Sequence, residues 1–229
     1  MTDVTETGGD LVRRALPATD LAAAAEFLSG PGTDVRRFLM VYKFGLDEML
    51  TKVNILREEL RMGEDCPIEH VTSRLKTFES LAAKVDRKGV PFTVDHVREA
   101  IHDVAGIRIV CSFVSDVYLV ADMLTRQPDV ELVATKDYIA EPKANGYKSL
   151  HLIVDTPVHM SDRTVTARVE LQLRTVAMDF WASLEHKIFY KYDEAVPAQL
   201  RAELTEAAHI ADRLDSTMQR LHREVRDLG

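Results

Sequence analysis

The chain has 229 residues, 46% of them apolar and 29% charged, with a formal net charge of −8. That length suits one packed domain with helical extensions. The acidic balance excludes a wholesale nucleic-acid coat and obliges any anionic ligand to sit in a local basic pocket.

Cys66 and Cys111 stand far apart, with no CxxC motif or Cys/His cluster around them. This argues against a zinc site and for a reducing, cytoplasmic setting. No run of about 18 apolar residues occurs, so no membrane span is expected. The polar, acidic start Met1-Thr2-Asp3-Val4 does not read as a signal peptide.

Residues 1 to about 18 read as loosely ordered, and an alanine-rich helix is expected from Asp20 to Ser29, stopping at Gly30-Pro31-Gly32. Asp34 reads as the N-cap of a long helix in which Phe38, Tyr42, Met49, Val53, Leu56 and Leu60 share one apolar face. Gly45 interrupts that helix at about 1 kcal/mol relative to alanine, and Gly63 stops it.

Val71 to Lys76 alternates as a strand. A helix follows from Phe78 to Arg87, closed by Gly89. Ala105 to Phe113 is a β-rich apolar run, and Ser115 is expected to cap a helix ending near Arg126. Val130 to Ile139, Ser149 to Asp155 and Thr164 to Leu173 read as strands, with Pro157 to Asp162 as a linker between the last two. Helices fill the remainder, broken at Pro197. The fold class is therefore α+β, a mixed five-stranded sheet flanked by helices. The expected organisation is an N-terminal extension over 1–33, a central domain over 34–195 and C-terminal oligomerisation helices over 196–229.

Val169 to Thr175 alternates with period two, placing Val169, Leu171 and Leu173 on a dry face and Glu170, Gln172 and Arg174 on the other. A carboxylate, an amide and a guanidinium in one row suit an anionic, metal-bound substrate; an edge strand with solvated polar residues would read the same way. Arg74 and Lys76 point to one side of their strand, and Ser80 and Lys84 lie one helical turn apart. Together they supply the donor density that a triphosphate needs in a chain with neither a Walker motif nor GxGxxG, although an ordinary basic helix surface fits too.

Asp103, before Val104-Ala105-Gly106-Ile107-Arg108, is placed for Mg²⁺ at the mouth of a buried strand; the alternative is a helix cap. His102-Asp103 lacks the additional His and Asp ligands of a metal phosphohydrolase. In Pro142-Lys143-Ala144-Asn145-Gly146-Tyr147-Lys148-Ser149-Leu150-His151 an Asn-Gly turn presents lysines, a histidine and an aromatic ring able to stack on a purine. No nucleophile dyad stands out.

These motifs, in this order over about residues 40 to 195 and running on into Met178-Asp179-Phe180-Trp181-Ala182-Ser183-Leu184-Glu185-His186, resemble the RelA/SpoT-homology synthetases. The nearest likeness is to the single-domain small alarmone synthetases of the RelQ branch. The resemblance implies a nucleotidyltransferase-like fold. It also implies transfer of the β,γ-pyrophosphoryl group of ATP to the 3′-hydroxyl of GDP, GTP or possibly GMP, giving (p)ppGpp and AMP in the stringent response. By the same analogy Arg74 and Arg108 sandwich adenine, and Lys76, Ser80 and Lys84 hold the ATP phosphates. Asp103 and Glu170 bind Mg²⁺, Glu170 activates the hydroxyl, and Lys143, Asn145, Tyr147, His151 and Gln172 take the guanine nucleotide.

The hydrolase and ribosome-binding regions of long family members have no counterpart here, so synthesis without hydrolysis and without a ribosome is expected. A homotetramer is also implied, with a product-binding cleft at Glu69-His70-Val71-Thr72 where His70 replaces an expected phenylalanine. The alternatives are a nucleotidyltransferase that releases pyrophosphate, or a non-catalytic nucleotide-sensing or RNA-binding module on the same fold. RNA binding has no positive support in the residues.

Overall fold

The computed structural model describes residues 33–63, 66–191 and 197–227. The helix expected over 20–29 and the segment before it lie outside the described residues. The elements run α1 (Thr33–Leu60), β1 (Ile68–Leu75), α2 (Phe78–Lys88), α3 (Val94–Ala100), β2 (Ala105–Cys111) and α4 (Val114–Thr125). Then follow β3 (Glu131–Asp137), β4 (Leu150–His159), β5 (Thr164–Thr175), α5 (Val176–Lys191) and α6 (Ala198–Asp227). The strands form one sheet in the order β1-β2-β5-β4-β3. The central β2–β5 pair is parallel and the other neighbours are antiparallel, so the sheet is mixed as the sequence implies.

Alternation decides the faces. Val169, Leu171 and Leu173 join Ile107, Ile109, Leu152 and Val154 in the main core, which leaves the polar residues of the same strands on the opposite face. The apolar stripe of α1 fills that core with Phe38, Tyr42, Met49, Val53 and Leu56. Gly45 is where α1 meets β5: a Cβ there would lie 2.3 Å from the Cβ of Ala167. The helix-propensity cost of glycine is accepted because the helix could not otherwise lie this close to the strand.

Several boundaries differ from expectation for local reasons. The β4 strand continues through Pro157 to His159, and the hairpin is closed by Met160 donating to the Arg163 carbonyl at 2.8 Å. Its pairing with β3 ends at Asp155, so beyond that point β4 has β5 on one side only and a missing N–H is tolerated. Ser115 is not the cap of α4. Phe113 holds the N-cap position, and the Asp116 carboxylate accepts its backbone N–H at 3.2 Å. The β3 strand stops at Asp137 because its carboxylate accepts from the backbone of Ile139 and Ala140 and turns the chain. Helix α3, absent from the expectation, is capped by Thr93, whose hydroxyl accepts from His96 N.

Candidate active site

The open face of β1, β2, β5 and β4 carries the polar row. Register sets Glu170 beside Gly106, Gln172 beside Arg108 and His151 beside Gln172. Gly106 has no side chain, so the β2 position paired with Glu170 adds nothing to that face.

The centre of the face is a closed ring of five side chains. Arg174 Nη2 donates to the Tyr147 hydroxyl at 2.6 Å and to Gln172 Oε1 at 3.2 Å. The Gln172 amide donates to Glu170 Oε2 at 2.9 Å. Tyr147 Oη meets His151 Nε2 at 2.8 Å, and His151 Nδ1 meets Glu170 Oε1 at 2.9 Å. Both arms lead from the buried guanidinium to a carboxylate that only accepts, with His151 meeting it at Nδ1 and Gln172 donating from its amide. Burial pushes the Glu170 carboxyl up, but the hydrogen bond and charge of His151 and the Gln172 amide outweigh it, and the net shift is downward. Glu170 is therefore held as an anion.

At the mouth of β2, Lys84 Nζ stands 2.6 Å and Lys76 Nζ 3.3 Å from Asp103 Oδ2. Burial raises the Asp103 carboxyl, the Lys84 hydrogen bond and the two ammonium charges lower it, and the net direction is down. Its other oxygen, Oδ1, is buried without a hydrogen-bond partner. An orphaned anionic oxygen close enough to Glu170 for its charge to bear on that carboxyl is a donor set that fits a hard divalent cation. Ser80 lies one turn before Lys84 at the exposed start of α2, where it is bonded to the capping Thr77.

A second patch gathers arginines. Arg108 Nη1 lies 3.2 Å and Arg174 Nη1 3.3 Å from the same oxygen of Asp179. Burial lowers the Arg108 pKa first, the charge of Arg174 next, and Arg74 adds to it. One carboxylate thus serves crowded guanidinium groups, which leaves the patch short of negative charge.

The loop from Tyr138 to Ser149 presents the aromatic platform. Lys143 Nζ sits 4.6 Å from the Tyr138 ring centroid and 4.7 Å from that of Tyr147. Asn145 has both ends engaged: its amide donates to Glu185 Oε1 at 3.0 Å and its carbonyl accepts from Tyr147 N at 3.2 Å. It thus shapes the loop that carries Tyr147.

Of the sequence-derived site residues, Tyr147, His151, Glu170 and Gln172 meet in the ring, Lys76, Lys84 and Asp103 meet at the mouth of β2, and the contacts described for Ser80 are to Thr77. Arg174, Asp179, Tyr138 and Glu185 are not among them, yet they hold the others. Alternation already placed Arg174 on the polar face; Asp179 and Glu185 sit in the helix that follows at once.

Residues 73–195 match the sequence pattern described as a region found in RelA / SpoT proteins. The chain is 50% identical over 194 residues to GTP pyrophosphokinase YwaC of Bacillus subtilis, covering 84% of this chain and 92% of that relative. The crystal structure of small alarmone synthetase 2 from Bacillus subtilis superposes with a TM-score of 0.76 at 50% identity, covering 83% of this chain and 99% of that one. The structure of small alarmone synthetase 1 from Bacillus subtilis bound to its product pppGpp superposes with a TM-score of 0.78 at 38% identity, covering 83% and 97%.

Proposed function

This chain belongs to the RelA/SpoT family and is a GTP pyrophosphokinase, a small alarmone synthetase making (p)ppGpp; from that premise we propose how its open sheet face divides the work. The five-residue ring ending on Glu170 carries the proposal. It holds one carboxylate anionic and hydrogen-bonded at both oxygens, beside a β2 position that carries no side chain.

Glu170 accepts the proton of the acceptor 3′-hydroxyl. His151 and Gln172 aim its oxygens, and Tyr147 and Arg174 fix those two in turn. Phosphoryl-type transfer needs positioning and charge neutralisation more than covalent help, and the remaining residues supply both. Lys76, Lys84 and Ser80 receive the ATP phosphates, and Arg74 with Arg108 takes the adenine end. A purine stacks on Tyr147 by displacing Lys143 from over its ring, with Asn145 setting the loop. Asp103 and Glu170 would hold Mg²⁺, which when bound neutralises polyphosphate charge.

The decisive assay incubates purified protein with Mg²⁺, ATP and GMP, GDP or GTP in turn and separates products by ion exchange. Guanine-dependent AMP release is expected. Pyrophosphate as the by-product would overturn the proposal.

The two nucleotide subsites are separable. Tyr147→Ala should raise KM for the guanine substrate by about 10-fold, the scale of one lost stacking platform, with ATP affinity little changed. Arg74→Ala should do the reverse. If steady-state kinetics find ATP alone weakened in both, the division is wrong.

Association is the second part of the proposal. Phe180 is 67% exposed and Leu214 53%, and with Leu184, Ile210 and Met218 they line an apolar groove of about 890 Å³ between α5 and α6. Leu221 and Val225 extend the stripe. Apolar surface of that extent marks an interface, and we read the enzyme as a homotetramer; light scattering reporting a monomer would refute this. His70, half-exposed and 3.9 Å from Asp179, offers a smaller stacking surface than phenylalanine, so pppGpp added to the initial-rate assay should activate weakly or not at all.

Among the described residues no helix is long and apolar enough to cross a membrane. We read the enzyme as cytoplasmic.

A further inference from the structure

The acceptor loop does not hold its own shape unaided. Inside it, Gly146 N donates to the Lys143 carbonyl at 2.8 Å and Lys143 N to the Tyr147 carbonyl at 3.2 Å, a tight turn that needs Gly146 at φ +87°. Further contacts that fix the turn come from the C-terminal helices. Asn145 reaches Glu185 of α5 at 3.0 Å.

Gly146 lies against α6 so closely that a Cβ on it would come within 2.5 Å of the Ala208 Cβ. Lys148 is ion-paired with Asp212, one turn further along α6. Tyr147 itself packs against a buried cluster of Trp181, Ala182 and Ala208, with Ala211 beside it.

Helix α6 is in turn pinned to the catalytic strand. Thr175, next to Arg174, donates to Asp215 at 2.6 Å, and Trp181 Nε1 donates to the Leu204 carbonyl at 2.9 Å. The loop residues on both sides of Tyr147 are therefore held from outside by α6, which meets the ring around Glu170 through Tyr147.

We propose that α6 is the back wall of the acceptor subsite. On this view Ala208 and Asp212 are positioning residues that set the Tyr147 platform and so govern affinity for the guanine nucleotide and not for ATP. The inference rests on Tyr147 being the guanine platform. Its physical content is pre-organisation: a loop already fixed in its bound shape loses less entropy when the nucleotide arrives. The wall reads distance through Ala208, where any larger side chain pushes Gly146 outward. It reads charge through Asp212, where the ion pair tethers Lys148.

The test is steady-state kinetics on the full chain with each nucleotide varied separately. Asp212→Asn keeps shape and removes the charge. Its side chain is 43% exposed, so a rise in KM for GDP on the order of 3-fold is expected, the scale of a solvent-screened pair. KM for ATP and the melting midpoint should stay unchanged. Ala208→Val should raise KM for GDP by about 10-fold through overpacking. The exchange Lys148→Asp with Asp212→Lys should restore most of what Asp212→Asn loses.

Glu206→Gln, on the exposed Glu206–Arg213 pair of the same helix, is the matched control and should change neither KM. An unchanged KM for GDP in both Asp212→Asn and Ala208→Val, or equal movement of the two KM values, overturns the inference while leaving the assignment of Tyr147 intact. If Tyr147→Ala weakens ATP instead of GDP, the platform reading fails and the inference falls with it.

Discussion

Glu170→Gln should fold as the native chain does and lose at least about 100-fold in turnover, the usual cost of removing a general base or a metal-binding carboxylate. The substitution keeps side-chain shape but changes what the ring requires. His151 Nδ1 and the Gln172 amide both donate to this carboxylate at 2.9 Å. A neutral amide can accept from both only by turning its own N–H donors elsewhere. The pull that lowers the Glu170 pKa shows that the surroundings are organised for an anion. Asp103→Asn should be similarly damaging, because its unpartnered Oδ1 is the oxygen we propose for the cation. The measurement is single-turnover AMP formation alongside a thermal melt. Near-native turnover from a folded Glu170→Gln protein would end the assignment of the base.

Arg174→Met should be the most destabilising substitution on the sheet face, by about 3 kcal/mol or more, since removing one partner of a buried charge pair strands the rest. The Arg174 side chain is 5% exposed. It donates to Ser149, Asp179, Tyr147 and Gln172, so truncation leaves four acceptors to find other donors. For a chain of this size the melting midpoint should fall by roughly 10 °C. Turnover of the surviving folded protein should fall as well, because Gln172 and Tyr147 lose the group that orients them. Arg174→Lys should not rescue, since one ammonium cannot span four acceptors in a fixed plane. A melting midpoint within about 2 °C of native would show that the guanidinium is not structural.

Much of this face is readable from the chain because period two is a strong local signal. Once Val169, Leu171 and Leu173 are apolar, Glu170, Gln172 and Arg174 must share the other face. The place of the turn in the acceptor loop is readable from Asn145-Gly146, which is turn chemistry, while the contacts that hold it come from residues far along the chain. What alternation does not reveal is burial. Arg174 is enclosed because Ser149 and Asp179 come over it from other elements, and nothing in the residues beside it announces that.

The supports on the C-terminal helices are hidden for the same reason. Asn145 and Glu185 lie 40 positions apart, Lys148 and Asp212 64. Helix α3 is too short, at seven residues, to display a helical period, though Thr93 signals its start. Gly45 reads as a weak point in a helix until Ala167 is known to lie against it.

The pairing of Lys76 and Lys84 with Asp103 has a consequence for turnover. A pocket built to take a polyanion ordinarily risks keeping it, since exposed ammonium groups would hold the products as firmly as the substrate. Here both lysines have a resident counter-ion within 3.3 Å. On the proposed assignment of these lysines to the ATP phosphates, arrival of ATP is an exchange of one anionic partner for another, and the net affinity is the difference between two similar attractions. When AMP and the pyrophosphorylated nucleotide depart, the carboxylate is there to receive the lysines back. The donor pocket resets itself, giving up some grip on the substrate for faster clearance after each cycle.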